Sequence, residues 1–191
     1  MTVQPPDFDA MYAADPDPWN VRDSWYERRK EAVVLALLAR ERYAHAWDAA
    51  SGTGDLALAL SRRCERVTAS DASARAVALT RDLLSDASAS VVVNALPEVP
   101  PLAEAPDLVV LAEVLYYLPE ADRIRALDAV AAAARPSAEL VVVHWRHHPD
   151  DAFLAGAAAT EEADGVLRER GWERVVWHDD RHFVAASWVR P

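Results

Sequence analysis

The residues best suited to hold a ligand are a glycine turn, Asp48-Ala-Ala-Ser-Gly52-Thr-Gly54, and the acid Asp71. Glycine allows a positive φ and lets a ligand approach the main chain with no Cβ in the way. An ionised carboxylate after the next strand can accept hydrogen bonds from both hydroxyls of a ribose. The pattern therefore predicts a nucleoside-binding corner. Each part also has a structural alternative, which is a plain tight turn for the glycines and a helix N-cap for Asp71.

An alternation of strand and helix signals surrounds this turn. Continuous apolar runs separated by helical segments predict a parallel sheet covered on both faces, an α/β fold. The predicted strands span 44–49, 66–70, 90–93, 107–113 and 139–145, and the helices between them span 55–63, 73–84 and 120–134. Two last strands, 172–178 and 182–189, are joined by so short a link that they predict an antiparallel hairpin at the sheet edge. We expect a single domain over 1–191.

The first 40 residues are predicted to form an arm and a lid helix in front of a core that spans 41–191. Residues 1–22 are rich in proline, aspartate and aromatic residues, which favours an extended arm. The sequence Ser24-Trp-Tyr-Glu27 is a capping box that predicts a helix running to about Arg40. Near the other end, Thr160 is predicted to cap a short helix that closes at Gly171.

Composition restricts the possible partners. The formal net charge of −11 makes nucleic acid and anionic membranes poor partners and mildly favours a cationic or amine ligand. The single cysteine, Cys64, lies in a helical pattern and excludes an internal disulfide. The first seven residues lack the pattern of a secretory signal, and the apolar stretch 32–39 is too short to span a bilayer. We therefore expect a cytoplasmic protein.

The glycine turn resembles the first motif of class I S-adenosylmethionine-dependent methyltransferases, and later motifs follow in order over residues 44–145. The resemblance implies a Rossmann-like fold with a mostly parallel seven-stranded sheet, and S-adenosyl-L-methionine as the cofactor. It assigns Asp71 to the ribose, Asn94-Ala-Leu96 to the adenine, and Ala112-Glu-Val-Leu-Tyr-Tyr117 to the border of the methyl-transfer site. The cofactor-binding residues it implies are Asp48, Ala50, Gly52, Gly54, Asp71, Ala72, Asn94, Ala95 and Glu113.

A closer resemblance covers nearly the whole chain. Phe8, Tyr12, Asp15-Pro-Asp-Pro-Trp19, Ser24-Trp-Tyr-Glu27 and His144-Trp-Arg-His147 together resemble the nodulation protein S-like branch of N-methyltransferases. That branch implies N-methylation of an amine on a small-molecule acceptor, in specialised or sugar metabolism. Some members methylate an amine on an oligosaccharide, whereas many relatives have no assigned acceptor.

Three departures from the general pattern leave a second hypothesis open. Ala50 replaces the first glycine of the loop, Asn94 replaces an acid, and Pro136-Ser-Ala138 replaces a glycine-rich turn. The chain could therefore be a catalytically silent partner subunit of another biosynthetic enzyme, using some of its seven tryptophans for association as a homodimer or hetero-complex. A dinucleotide-dependent oxidoreductase is disfavoured because the loop lacks the G-x-G-x-x-G spacing.

The candidate catalytic residues lie at strand ends on the predicted cofactor edge. His144 is the strongest candidate for a base because its ordinary pKa lies near neutrality, and a core histidine is the alternative. Glu113 and Tyr116 are the other two candidates. His144, His147 and His148 would align only on a helix, so no metal site is expected.

Lid residues could also contact the cofactor. Trp19, with Trp25 and Tyr26, could form an aromatic wall over the sulfonium or simply pin the lid. One of Arg28, Arg29 and Lys30 could meet the cofactor carboxylate, and we expect a solvated helix face for at least two of them; Arg28 is our candidate. Arg146 could orient an acceptor or pair with Asp150 or Asp151.

Overall fold

The computed structural model describes residues 5–191. The first four residues of the predicted arm lie outside the described residues, and the prediction about a secretory signal partly depends on them. Strands and helices alternate along the chain. The strands are β1 (Tyr43–Asp48), β2 (Cys64–Asp71), β3 (Ala89–Val93), β4 (Leu108–Ala112), β5 (Glu139–Trp145), β6 (Glu173–Asp179) and β7 (Phe183–Val189). The helices are α1 (Phe8–Ala14), α2 (Trp25–Leu37), α3 (Asp55–Ser61), α4 (Ala74–Leu83), α5 (Glu120–Ala133) and α6 (Gly156–Glu169), with a 3-10 turn at Leu115–Tyr117.

The strands form one seven-stranded sheet in the order β3-β2-β1-β4-β5-β7-β6. The first five strands are parallel, and β7 runs antiparallel between β5 and β6. The predicted parallel sheet with a C-terminal antiparallel hairpin is thereby confirmed. The strand order reverses between β1 and β4, and a crevice outside the carboxyl ends of the strands at such a point is where ligands bind in α/β sheets.

Side chains on the central strands alternate between two buried layers. Val109 and Leu111 of β4 pack on the side of α5 and α6, whereas Leu108 and Val110 pack on the side of α2 and α3. Each of these four side chains is fully buried. Because both faces are covered, the sheet is a rigid platform for the loops at its carboxyl edge. Across residues 5–191, every helix is too short or too polar to span a bilayer.

Three local predictions are wrong. The arm contains helix α1, which begins because the Asp7 side chain accepts a hydrogen bond from the Ala10 amide at 3.0 Å. Helix α6 begins at Gly156, and the Thr160 hydroxyl donates to the Gly156 carbonyl at 2.9 Å rather than capping the helix. Cys64 opens strand β2 and lies in the core, not in a helix.

Helix α2 is shorter than predicted, ending at Leu37, and its capping box is half formed. The Ser24 hydroxyl accepts from the Glu27 amide at 3.4 Å. The Glu27 carboxylate does not return to the Ser24 amide, which donates to the Asn20 carbonyl instead. Glu27 contacts Lys30, one turn further along the helix, and both side chains line the cleft described next.

Candidate functional site

A cleft of about 910 Å³ opens at the carboxyl ends of the parallel strands, beneath α1 and α2. Its walls come from the loops after β1, β2, β3 and β4, from the end of β5, and from side chains of the two N-terminal helices. The predicted site residues that line it are Trp19, Arg28, Asp48, Ala50, Gly52, Asp71, Ala72, Asn94, Ala95, Glu113 and Tyr116. The cleft lies where the strand order reverses, as expected for an α/β ligand site.

The turn at Gly52 presents bare main chain to the cleft. Gly52 has φ +53°, and a Cβ at this position would come within 3.0 Å of the Tyr12 hydroxyl of α1. Two hydrogen bonds fix the turn: its amide donates to Asp71 at 2.9 Å, and its carbonyl accepts from the Thr80 hydroxyl at 2.8 Å. A side chain here would strain the backbone and crowd Tyr12, so glycine keeps this part of the wall open.

Asp71 is held in place by main-chain amides. One carboxylate oxygen accepts from Gly52 and the other from Ser73, each at 2.9 Å. Burial raises the pKa of Asp71, and these amides act in the opposite direction. The N-cap of α4 is Ser73 rather than Asp71, since the Ser73 hydroxyl accepts from the Ala76 amide. Each Asp71 oxygen therefore has capacity for one more hydrogen bond.

Asp48 is a buried carboxylate with unmet hydrogen-bonding capacity. It is 1% exposed, and neither oxygen receives a hydrogen bond from any described residue. Burial, reinforced by the negative charge of Asp71, raises the pKa of Asp48 to about 7. The neighbouring Ser51 hydroxyl is also buried without a partner in the described chain. Buried polar groups are normally hydrogen-bonded, so this corner fits a ligand that brings its own donors.

The loop after β3 forms the opposite side of this corner. Asn94 and Ala95 both line the cleft. The Asn94 side-chain amide donates to the Glu98 carbonyl at 2.7 Å, and its main-chain amide donates to the main-chain carbonyl of Asp71 at 2.9 Å. The asparagine therefore shapes the loop with its nitrogen and retains its oxygen as an acceptor.

Gly54, which was predicted to contact the cofactor, does not line the cleft, and that contact stays a prediction. It precedes α3 with φ +88°, and a Cβ would lie 2.9 Å from the side chain of Thr80. Its missing side chain permits close packing of α3 against α4. Gly54 therefore helps to position the glycine turn.

Glu113 and Lys30 form an ion pair at the edge of β4. Glu113 follows the strand with φ +54°, and one carboxylate oxygen lies 2.5 Å from the Lys30 ammonium. The other oxygen accepts from the Tyr116 hydroxyl and the Trp145 amide, each at 2.7 Å. Burial opposes ionisation of Glu113, but Lys30 and these hydrogen bonds hold the pKa of Glu113 below its ordinary value. Glu113 is therefore a fixed negative charge at this edge.

Lys30 is a functional candidate that sequence reasoning placed in a mostly solvated set. It is the only lysine of the chain and is 8% exposed. The Glu27 carboxylate, whose two oxygens lie 3.0 and 2.8 Å from the ammonium, is its second partner. Burial disfavours the charged form, but the two carboxylates hold the pKa of Lys30 above its ordinary value. The feature of the sequence that could have indicated a special role for Lys30 is that it is the single lysine of an arginine-rich chain.

Two predicted catalytic residues, Tyr116 and His144, are poorly suited to act as a base at neutral pH. Burial raises the pKa of Tyr116 well above its ordinary value, so its hydroxyl stays protonated and donates to Glu113. His144 is fully buried and lies outside the cleft. Its ring contacts the Thr160 hydroxyl at 2.9 Å and the Leu115 amide at 3.3 Å, and burial lowers its pKa to about 4. The prediction of His144 as the base is corrected, because the residue is a core histidine.

The aromatic lid residues divide between wall and surface. Trp19 and Tyr26 line the cleft, and Trp19 also packs on Tyr12 with ring centroids 5.7 Å apart. Trp25 is 70% exposed and lies outside the cleft. Trp19 thus borders the cleft and packs on α1, and its predicted contact with the sulfonium stays a prediction.

The arginine predictions have mixed outcomes. Arg28 lines the cleft, and its guanidinium donates to the Asp23 carbonyl at 2.9 Å. Arg146 pairs with Asp179 in the C-terminal hairpin, not with Asp150 or Asp151. Among residues 5–191, no group of three or more side chains is arranged to hold a metal ion.

The profile of the family Nodulation protein S (NodS) matches residues 9–179. Nodulation protein S of Rhizobium tropici is 35% identical over 115 residues, which are 59% of this chain and 48% of that protein. The chain spans about half the length of the curated relatives it matches.

Two crystal structures show the extent of the likeness in three dimensions. A protein of Pseudomonas syringae, proposed to be a methyltransferase, is 36% identical with a TM-score of 0.74, over 87% of this chain and all of that one. N-methyltransferase NodS from Bradyrhizobium japonicum, in complex with S-adenosyl-L-homocysteine, is 22% identical with a TM-score of 0.82, over 97% of this chain and all of that one. The second likeness concerns the fold alone.

Proposed function

The chain belongs to the nodulation protein S family and has the class I methyltransferase fold, and on that premise we propose that it is an S-adenosylmethionine-dependent N-methyltransferase. We further propose that its acceptor is an amine on a small molecule. The observation that carries the proposal is the nucleoside corner, in which a bare turn at Gly52 adjoins Asp71 and the unpartnered carboxylate of Asp48.

The residues of this corner fit S-adenosylmethionine. Asp71 would accept from the ribose hydroxyls, Gly52 would lie against the nucleoside, and Asp48 would accept from the ammonium of the methionine part. The loop of Asn94 and Ala95 would border the adenine. When bound, S-adenosylmethionine supplies an electrophilic methyl group carried on a positively charged sulfur.

The charge of the cleft also suits cationic ligands. Its carboxylates are Glu27, Glu31, Asp48, Asp55, Asp71, Glu113, Asp122 and Asp151, and its cationic side chains are Arg22, Arg28 and Lys30. A concave site lined mainly by one sign of charge attracts ligands of the opposite sign. Known ligand pockets reach roughly 1,000 Å³, so a cleft near that limit has room for an acceptor beside the nucleoside.

The residues at the β4 edge would act by position and charge. Glu113 is ionised and held by Lys30, Tyr116 and the Trp145 amide, so it provides a fixed negative field where positive charge spreads during transfer. Alignment of the reacting groups in a closed cleft supplies much of the acceleration in such displacements. The proposed mechanism assigns no proton transfer to His144.

A silent partner subunit is the second candidate, favoured by the exposed ring of Trp25 outside the cleft. The departures that suggested it do not close the site. Ala50 lines an open cleft, and Ser137 of the altered turn has φ +61° just before β5, at the opposite end of the strands. Association as a homodimer or hetero-complex and a cytoplasmic location stay predictions.

Isothermal titration with S-adenosylhomocysteine tests the proposal. The wild-type protein should bind it, and Asp71→Ala should weaken binding about 30-fold or more because hydrogen bonds to a charged acceptor are worth roughly 1.5–3 kcal/mol each. Asp86→Ala, at an exposed acid outside the cleft, is the control and should bind normally. An absence of wild-type binding at millimolar concentration, or an unchanged constant for Asp71→Ala, would contradict the assignment.

A further inference from the structure

The carboxylates of the cleft differ in whether they already have partners. Asp48 and Asp71 belong to the nucleoside corner described above. Four other carboxylates already have partners. Glu27 and Glu113 both contact Lys30. Asp55 contacts Thr53 and Arg22, and Asp122 contacts Arg125. Within residues 5–191, Glu31 and Asp151 have neither a hydrogen bond nor an ion pair on their side chains. These two carboxylates are available to a ligand.

Glu31 and Asp151 lie on different sides of the cleft. Glu31 belongs to α2, and the negative charge of Asp55 at the start of α3 adds to burial in raising its pKa. It therefore lies beside the glycine turn and the nucleoside corner. Asp151 lies in the segment between β5 and α6, which a main-chain hydrogen bond ties to Tyr116 at the β4 edge.

Two main-chain hydrogen bonds fix the position of Asp151. The Ala152 amide donates to the Pro149 carbonyl at 3.2 Å and closes a turn in which Asp150 and Asp151 are the central residues. The next residue, Phe153, donates to the Tyr116 carbonyl at 2.9 Å and ties this turn to the β4 edge. Within that turn Asp151 is half-buried and lines the cleft, whereas Asp150 is exposed and lies outside it.

The surroundings of Asp151 suit a cation. Burial has the largest effect in raising the pKa of Tyr117, the negative charge of Asp151 has the second largest, and the charge of Glu113 comes next. Both carboxylates therefore act on the Tyr117 hydroxyl. The Tyr117 ring packs edge-on against Phe8 with centroids 5.0 Å apart, and both rings line the cleft. Aromatic rings beside a carboxylate attract an ammonium by two additive effects, ion pairing and cation–π contact.

We propose that Asp151 binds the protonated amine of the methyl acceptor and thereby selects cationic acceptors over neutral ones of the same shape. This inference rests on the proposed function, since it takes the β4 edge as the acceptor end of the cleft. Asp151 is a recognition residue in this proposal. It holds the acceptor in the cleft. The amine loses its proton to solvent before its lone pair attacks the methyl group, and Asp151 takes no part in the transfer itself.

The test uses protein saturated with S-adenosylhomocysteine, so that the nucleoside corner is filled. Binding of benzylamine, which is protonated at pH 7.5, and of uncharged benzyl alcohol is measured by saturation-transfer NMR. We expect wild-type protein to prefer benzylamine, and Asp151→Asn to weaken benzylamine binding about five-fold, the effect of one half-buried ion pair. Asp150→Asn is the matched control and should bind both probes as the wild type does.

Each other outcome has a defined meaning. Equal binding of the two probes to wild-type protein, no binding of benzylamine at tens of millimolar, or an unchanged constant in Asp151→Asn would overturn the proposal. An unchanged urea midpoint and unchanged benzyl alcohol binding in Asp151→Asn would show that the variant is folded with its cleft intact. Failure of S-adenosylhomocysteine itself to bind would instead count against the proposed function, and this is measured first.

Discussion

Replacing Lys30 with methionine should destabilise the protein strongly at neutral pH. The variant would leave the carboxylates of Glu27 and Glu113 side by side without their shared cation. The side chains of Lys30, Glu27 and Glu113 are 10%, 16% and 26% exposed, so water screens them poorly. Removing one partner of a buried ion pair costs about 3–5 kcal/mol. Because Glu113 keeps two other hydrogen bonds, we expect a loss near the lower end, about 3 kcal/mol in the free energy of unfolding at pH 7.5.

The loss of stability in Lys30→Met should become smaller as the pH is lowered. In the wild type the pKa of Glu113 is lower in the folded state than in the unfolded state. Glu113 therefore stabilises the fold at pH values above its ordinary pKa of about 4.3, and this stabilisation is lost as the pH falls through the lower folded-state pKa. Without Lys30 the remaining influences on Glu113 are dominated by burial, which raises its pKa. The variant should then regain stability as the buried carboxylates take up protons, and the gap to the wild type should narrow between pH 7.5 and pH 5.

Urea unfolding followed by tryptophan fluorescence at both pH values measures this gap. Arg28→Met on the same helix is the control, since Arg28 is exposed and its guanidinium donates to a main-chain carbonyl. We expect that control to change stability by less than about 0.5 kcal/mol. The double variant Lys30→Met with Glu113→Gln should recover part of the loss. A Lys30→Met protein as stable as the wild type at pH 7.5, or a gap that does not vary with pH, would refute the reasoning.

Three further predictions concern packing, the core histidine and the lid. Gly54→Ala should lower the free energy of unfolding, measured with urea, by about 2 kcal/mol, because the positive φ of Gly54 and its contact with Thr80 exclude a Cβ. Gly165→Ala has no atom near the added methyl group and should raise that free energy by about 0.5–1 kcal/mol. Equal effects of the two changes would contradict this packing. The His144 ring should stay neutral in NMR titration down to about pH 5, because burial lowers its pKa to about 4, and a midpoint near 6.5 would contradict its burial. Asp9→Ala removes the carboxylate that ties α1 to the start of α4, so S-adenosylhomocysteine should dissociate several-fold faster in stopped-flow measurements. An unchanged rate would show that α1 does not slow the release of a ligand from the cleft.

The parallel sheet was predictable because its central strands β4 and β5 contain continuous apolar runs, which are buried on both faces. Helix α1 was not, since its cap, Asp7, follows two prolines and its buried residue, Tyr12, packs on a turn 40 residues away. Thr160 has the residue type of an N-cap but sits one turn inside α6. Local sequence cannot distinguish these cases, because contacts with distant elements decide them.

The meeting of Asp48, Gly52 and Asp71 in one corner could be predicted because these residues lie at the ends of recognisable strands. The β4 edge could not, since the contact of Lys30 with Glu113 joins residues 83 positions apart. For His144 the sequence left a base and a core histidine as alternatives, and the choice between them needs the face of β5 that borders the cleft. Side chains alternate along a strand, and on β5 the residues that line the cleft are Val143 and Trp145, which places His144 on the face toward α6.

A crystal structure of the protein soaked with S-adenosylhomocysteine tests the central claim most directly. The account predicts electron density for the nucleoside along the main chain at Gly52, with both ribose hydroxyls on the Asp71 carboxylate and an amine nitrogen near Asp48. Density elsewhere, or a Gly52 turn filled by protein side chains with no ligand bound, would contradict it.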